Sequence, residues 1–229
     1  MLIEYPKNKK RLICSISINM TNCMDYTRIP MKKYADRVGA DFFVLREFNK
    51  TPHLAKYELL STAFKDGYNK VLYLDADVYV RSGVPDIFSH YQNALFDESE
   101  IIKNYNRQKI ESITKSIQEI DPSYKEGDRY YNTGVMIFDR DGLKKLLTEI
   151  SKIDEFKLST LYYEQHEFNI FLKKAGLPYR SLNRRWNEYA SSGPLNTDEL
   201  INSYFIHVPG MKDSDQKAKR LASITSQLL

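Results

Sequence analysis

The sequence predicts an α/β fold, a doubly wound parallel sheet with helices on its faces, and three observations carry that prediction. Residues 71–80, Val-Leu-Tyr-Leu-Asp-Ala-Asp-Val-Tyr-Val, open with four apolar residues in a row, the pattern of a strand buried on both faces. Two strand-helix units precede it, and strands joined through helices run parallel. Apolar strand patterns return at 132–139 and 204–208, with helical spacing between them.

Residues 11–18 alternate and are rich in isoleucine, which predicts the first strand. A polar turn over 19–25 follows. Ile29, Met31, Tyr34, Ala35 and Val38 then fall at helical spacing over 28–38, and Gly39 suits the C-terminal cap. Asp41-Phe42-Phe43-Val44-Leu45 is the second strand. Leu54, Tyr57, Leu59, Leu60 and Phe64 mark an amphipathic helix over 54–66, ended by Asp66-Gly67. After the third strand, Pro85 enters a short helix over 84–89. The polar stretch 96–124, with isoleucines spread along it, reads as a helix or a lid over an acceptor. Leu143, Leu146, Leu147 and Ile150 mark the next helix. Residues 164–174 form another, capped at Gly176 and stopped by Pro178. Strand 204–208 is the last, and the tail 213–229 is helical and basic. There is neither an internal repeat nor a linker, so residues 1–229 read as a single domain.

Composition narrows the function. Charged residues make up 28% and hydrophobic residues 42% of the 229, a globular balance. The formal net charge of +4 suits a small anionic substrate and does not argue for nucleic acid. With only Cys14 and Cys23 there is no disulfide framework and no cysteine-based zinc site, so a reducing, cytoplasmic setting is expected. Lys7, Lys9, Lys10 and Arg11 precede an apolar run, but the run is short, alternates with Ser and lacks a cleavage site. It is not read as a signal peptide. No stretch is long enough for an integral membrane segment.

The chemistry centres on Asp75 and Asp77. At the end of a buried parallel strand they lie at the carboxyl edge of the sheet, where open α/β folds bind ligands. In an extended chain they share a side, roughly 6–7 Å apart, and two carboxylates that close repel unless a cation intervenes. The competing structural reading is a strand-to-turn boundary with two solvated aspartates. The apolar residues on both sides favour a divalent-metal site instead. Of the four histidines, only His207 directly follows an apolar strand segment, which presents it at a sheet edge. Two carboxylates and an imidazole, completed by ligand oxygens, suit Mn²⁺ better than Mg²⁺.

Neither a G-x-G-x-x-G turn nor a Walker glycine loop is present, so a bound phosphate must be held by metal and side chains. Asn132 to Gly134 is either a turn or an amide offered to sugar hydroxyls. Glu164-Gln165-His166-Glu167 opens a helix, where the dipole alone favours acidic residues, as well a structural role as a site. Lys212 and the pair Arg184-Arg185 are candidate phosphate partners, although solvated positions are the commoner fate of such residues.

Four stretches then come in a telling order: residues 71–80, Tyr130-Tyr131-Asn132-Thr133-Gly134-Val135-Met136, Glu164-Gln165-His166-Glu167-Phe168-Asn169, and His207-Val208-Pro209-Gly210-Met211-Lys212. Together, over residues 12–212, they resemble the metal-dependent GT-A glycosyltransferases of family 8, of the glycogenin and bacterial lipooligosaccharide galactosyltransferase type. The resemblance implies a Rossmann-like mixed, mainly parallel sheet flanked by helices. It implies a nucleotide-binding half at 11–80, a donor-sugar and acceptor half at 81–212, and a C-terminal helical tail at 213–229.

It also implies roles. Asp75, Asp77 and His207 would hold Mn²⁺, or Mg²⁺ in its place, with Ala76 between the aspartates lining the cofactor site. Gly210 and Lys212 would meet the diphosphate. Ser17, Asn19 and Tyr26 lie where the family holds uridine, and Lys56 resembles the basic residue that reaches the donor. Asn132 corresponds to the sugar-contacting amide, and Glu164 and Gln165 to the pair beside the anomeric carbon. The partners implied are a nucleotide-sugar, most simply UDP-linked, and a glycan or glycoprotein acceptor, with retention favoured over inversion. Three departures stand out. Glu164 replaces the usual Asp, the spacing from His207 to Lys212 is one residue short, and Lys56 sits about one helical turn further from the Asp pair.

Rival readings share the Asp pair. Leu74-Asp75-Ala76-Asp77-Val78 also fits a haloacid-dehalogenase phosphatase, but that family carries the motif on its first strand and needs a late acidic pair. A sugar nucleotidyltransferase would use the same metal grip with chemistry at the α-phosphate. A non-catalytic nucleotide-sugar or glycan-binding module would bind UDP and release none from UDP-sugars.

Overall fold

The structure, a computed structural model, describes residues 11–49, 54–99, 107–152, 164–176, 180–191, 193–211 and 213–228. The first half forms strand β1 (Arg11–Ile16), helix α1 (Thr21–Arg37), strand β2 (Asp41–Leu45), helix α2 (Ala55–Lys65) and strand β3 (Lys70–Leu74). Strand β1 lies between the other two and is parallel to both, with Ile13 opposite Phe42 on one side and Leu72 on the other. Side chains alternate across this sheet. Leu12, Cys14, Val71 and Tyr73 face one apolar layer and Ile13, Leu72 and Leu74 face the other. Helices α1 and α2 cover opposite faces, so β3 is buried on both and Val71 to Leu74 reads as a continuous apolar run.

The chain continues through β4 (Val78–Val80), α3 (Ile87–His90), β5 (Ala94–Asp97), α4 (Arg107–Gln118), β6 (Tyr131–Asp139), α5 (Arg140–Ile150) and α6 (Glu164–Lys174). It ends in β7 (Arg180–Ser181), β8 (Glu188–Tyr189), α7 (Thr197–Asn202), β9 (Phe205–His207) and α8 (Ser214–Leu228). The main sheet has the order β2-β1-β3-β6-β5-β7, and β4-β9-β8 form a small second sheet. Strand β6 runs antiparallel to both β3 and β5, so the sheet is mixed and mainly parallel. That reversal matters for the site. Val135 pairs with Leu74, so the residues before it, Asn132 to Gly134, meet the chain where β3 ends.

Several expectations are corrected. The predicted turn over 19–25 shrinks to a few residues, with Asn19 in the left-handed region at φ +57°, and α1 begins at Thr21. Cys23, Met24 and Thr27 extend the buried stripe of Met31, Tyr34 and Ala35 upstream. Packing therefore outweighs the hydrogen bond that Pro30, inside the helix, withholds from Tyr26. The stretch 96–124 begins as the end of buried strand β5 and includes helix α4 from Arg107 to Gln118; residues 100–106 of the expected lid lie outside the described residues, as does Pro178. Asp75-Ala76-Asp77 is a turn, not the extended segment expected.

Helix α6 has the predicted bounds and carries a buried imidazole. Burial pushes His166 down to about 4 from its ordinary 6.5. An unfolded chain takes up this proton near the ordinary value and the folded chain only near the lowered one. Stability is therefore expected to fall as pH drops through that window, by about 3 kcal/mol from this residue. Denaturant unfolding of His166→Leu beside the wild type checks it: the difference should move in the variant's favour by that amount between neutral pH and about pH 4.

Candidate active site

The carboxylate turn is built by backbone hydrogen bonds. Asp75 N–H donates to Gly134 O at 2.8 Å, and Val78 N–H to Asp75 O at 3.1 Å, folding the chain back into β4. Strand β4 pairs antiparallel with β9 so that Val78 faces His207. The turn thus meets the imidazole: Nε2 of His207 is 3.3 Å from Asp77 Oδ1 and 3.9 Å from Asp75 Oδ2. Among the described residues, these three side chains offer ligand atoms that all lie within 4.8 Å of one another. Asp77 and His207 are buried, while the Asp75 side chain is one-third exposed and opens the cluster to solvent.

Two lysines compensate the aspartates. Lys217, from α8, lies 2.5 Å from Asp77 Oδ2, and Lys56, from α2, lies 3.5 Å from Asp75 Oδ1. Tyr73 also donates its hydroxyl to Asp75 Oδ1 at 2.7 Å. Burial alone would push the Asp77 carboxyl up, but His207 and Lys217 outweigh it and hold the group below the usual range. Burial likewise pushes the Lys217 ammonium down, and the Asp77 charge more than reverses that.

Two carboxylates and an imidazole nitrogen facing one point fit a divalent cation. Gly134 supports that fit, because a Cβ there would stand 2.3 Å from His207 Cε1, 2.8 Å from Asp75 Oδ2 and 2.9 Å from His207 Nε2. The missing side chain leaves the His207 imidazole and the Asp75 carboxylate room to converge. Gly134→Ala is expected to push the imidazole off the aspartates and weaken divalent-cation binding by at least about tenfold, the effect of about 1.4 kcal/mol of lost ligation. Titration of the purified variant with Mn²⁺ checks this, and unchanged affinity contradicts the role given to the glycine.

A second group adjoins the first. Lys56 is buried and also contacts Glu164 Oε1 at 2.6 Å and both the carbonyl and hydroxyl oxygens of Thr133 at 3.2 Å. The Glu164 and Asp75 carboxylates together outweigh burial and push this ammonium up. Lys56 is therefore a strut between the first turn of α6 and the carboxylate turn. Gln165 donates from Nε2 to Glu98 Oε2 and to the Tyr130 hydroxyl, each at 3.0 Å, while its Oε1 faces Asn132 Nδ2 at 3.4 Å. Tyr189 donates to the other Glu98 oxygen. Burial pushes the Glu98 carboxyl up despite these donors. The structure thus joins Asn132, Glu164, Gln165 and Lys56 to the Asp75–Asp77–His207 cluster.

The remaining predicted residues lie around it. Ser17 is buried past the end of β1, with its N–H on Leu45 O at 2.8 Å. Ser17 and Asn19 follow a strand parallel to β3, so they lie at the same sheet edge as Asp75. Tyr26 is partly exposed on α1, and the neighbouring Thr27 hydroxyl donates to Ala76 O at 2.7 Å. Gly210, at φ +76°, turns the chain after β9. Lys212 lies outside the described residues. Arg184 pairs with Glu188 at 2.7 Å, and Arg185 donates to Asn202 O and stacks on Tyr204. Both arginines serve the fold locally. Sequence reasoning missed Glu98, Asn187 and Lys217. Only Lys217 had a signal: it sits four residues before buried Leu221, on the inward stripe of α8.

The family model of Glycosyl transferase family 8 matches residues 19–212. The chain belongs to glycosyl transferase family 8. Membership decides for glycosyl transfer over the phosphatase, the nucleotidyltransferase and the non-catalytic module. No curated protein matches the chain. Solved structures share the fold of this family 8 enzyme. A glycosyltransferase involved in the glycosylation of the major capsid of PBCV-1 is 18% identical over 94% of this chain and 99% of its own, with TM-score 0.65. The WbbM bifunctional glycosyltransferase is 13% identical over 99% of this chain and 53% of its own, with TM-score 0.63. GlyE of Streptococcus pneumoniae TIGR4 is 12% identical over 96% of this chain and 62% of its own, with TM-score 0.51. The fold is GT-A, as expected.

Proposed function

We propose that this enzyme transfers a sugar from a UDP-linked donor to a hydroxyl of a glycan or glycoprotein, using Mn²⁺, with Mg²⁺ as the alternative ion. The convergence of Asp75, Asp77 and His207 beside a glycine that leaves them room supports this reading most. Those three side chains would hold the ion. Bound there, it supplies Lewis-acid stabilisation of the charge on the leaving diphosphate.

The chain's own residues divide the remaining work. Ser17, Asn19 and Tyr26 receive the uridine at the carboxyl edge of the sheet, in the half formed by 11–80. The half formed by 81–212 takes the donor sugar and the acceptor. Glu164 is held at one oxygen by Lys56, and Gln165 is oriented by Glu98 and Tyr130, so both reach the sugar with fixed rotamers. Asn132 offers its amide to the sugar from the start of β6. Gly210 approaches the diphosphate from the turn after β9, the family pattern assigns Lys212 to the same group, and helix α8 adds the Lys217 ammonium beside Asp77. Family analogy favours retention over inversion. The two cysteines are free and buried, which suits a reducing cytoplasm, and no described helix is long and apolar enough to cross a membrane.

Calorimetric titration of UDP with Mn²⁺ and with EDTA tests the reading. Binding that needs Mn²⁺ and favours UDP over GDP and dTDP is expected. Equal binding with and without the ion overturns the metal assignment.

A further inference from the structure

The ring of His207 faces different groups with its two nitrogens. Nε2 faces the carboxylates of Asp75 and Asp77, and Nδ1 lies 2.9 Å from Oδ1 of Asn187. A neutral imidazole carries one proton, and the nitrogen that holds it cannot bind a cation. The nearby carboxylates attract that proton to Nε2, the side where it would block ligation.

The hydrogen-bond chain behind the ring opposes this, and its polarity is set by a backbone group. The N–H of Gly134 can only donate, and it lies 3.0 Å from Asn132 Oδ1, which is thereby the amide oxygen. Its partner on Asn187, 3.0 Å away, must then be the donor Nδ2. The remaining amide atom of Asn187 is its oxygen, and it faces Nδ1. Asn132 Nδ2, turned towards Gln165 Oε1, agrees with this orientation. Both asparagines are buried, so neither amide can turn over without leaving two acceptors facing each other away from water.

We propose that Asn187 is a positioning residue: its side-chain oxygen holds the proton of His207 on Nδ1 and so keeps the Nε2 lone pair facing Asp75 and Asp77 for a divalent cation. The inference rests on the metal reading above for its purpose, and on the backbone-anchored amide chain for its geometry. Asn187 ends the 3₁₀ turn Arg184–Trp186, where its N–H bonds to Arg184 O at 2.9 Å, so its side chain issues from a fixed point.

The test uses ¹⁵N-labelled, metal-free protein at a pH chosen so that the ring carries a single proton. Long-range ¹H–¹⁵N correlation should show the His207 proton on Nδ1. In Asn187→Leu it should move towards Nε2, with Mn²⁺ affinity by electron paramagnetic resonance falling on the order of 10- to 100-fold. Asn132→Leu reaches the same chain without touching His207 and should mix the tautomers, so the test survives if Asn187→Leu fails to fold. A wild-type ring protonated at Nε2, or unchanged tautomer and affinity in the folded Leu variants, overturns the proposal. Failure of the wild type to bind Mn²⁺ overturns the metal reading instead, and an Nδ1–H ring would still uphold the hold of Asn187 on the tautomer.

Discussion

Asp77→Asn is expected to reduce transfer by a hundredfold or more, and to destabilise the protein as well. The amide removes one of three converging ligand atoms and a charge that faces both His207 and Lys217. Loss of several kcal/mol of charge stabilisation on the leaving group corresponds to roughly 10²- to 10⁴-fold in rate. The same substitution leaves the mostly buried Lys217 without its counter-charge, and breaking such a pair from one side costs about 3–5 kcal/mol. Asp75→Asn separates the two effects. Its side chain is one-third exposed and Lys56 keeps Glu164 as a partner, so the melting temperature should fall less than in Asp77→Asn while the rate falls comparably. Product formation beside thermal melts of both variants checks this. Full activity in folded Asp75→Asn and Asp77→Asn contradicts the site.

Lys56→Met carries the second large effect, on the fold. The ammonium is buried against Glu164 at 2.6 Å and Asp75 at 3.5 Å, and lies 4.8 Å from the centre of the Tyr73 ring. Methionine fills a similar volume but leaves two close carboxylates without the cation between them. A loss of about 3–5 kcal/mol follows, which for a chain of this size is a drop in Tm of about 10 °C. Adding Glu164→Gln to Lys56→Met removes the more buried of the two stranded charges and should restore part of the loss, a coupling that a double-mutant cycle reads directly. Lys56→Arg is not expected to substitute, because the planar guanidinium does not fit a site shaped around a compact ammonium. Independent, additive losses would show that Lys56 and Glu164 do not act as a pair.

The order from β1 to β3 was legible because β1 alternates with isoleucine, β2 and β3 are short apolar runs, and each helix carries a 3.6-residue stripe. Helix α6 was legible to its ends for the same reason, with Gly176 at φ +60° closing it. Asp75, Asp77 and His207 were legible because all three abut strands, where position along the chain translates into position at a sheet edge. The direction of β6 was not, since Val135 to Phe138 is equally apolar in a parallel or an antiparallel strand. Two-residue strands such as Arg180–Ser181 carry no periodicity to read. Residues that act through long-range contacts left little trace. Lys217 is 140 positions from Asp77, and the Asn187 relay exists only once β6, β8 and β9 are assembled. Lys56 was legible as a residue of the site, but its burial between two carboxylates depended on where α6 begins.

The most direct test of the central claim is UDP release from a panel of UDP-sugars, measured with Mn²⁺ and again with EDTA. A metal-dependent nucleotide-sugar transferase predicts slow release from one sugar with Mn²⁺ and none with EDTA, with the rate lost in Asp75→Asn. Release that persists in EDTA, or that Asp75→Asn leaves unchanged, would contradict it.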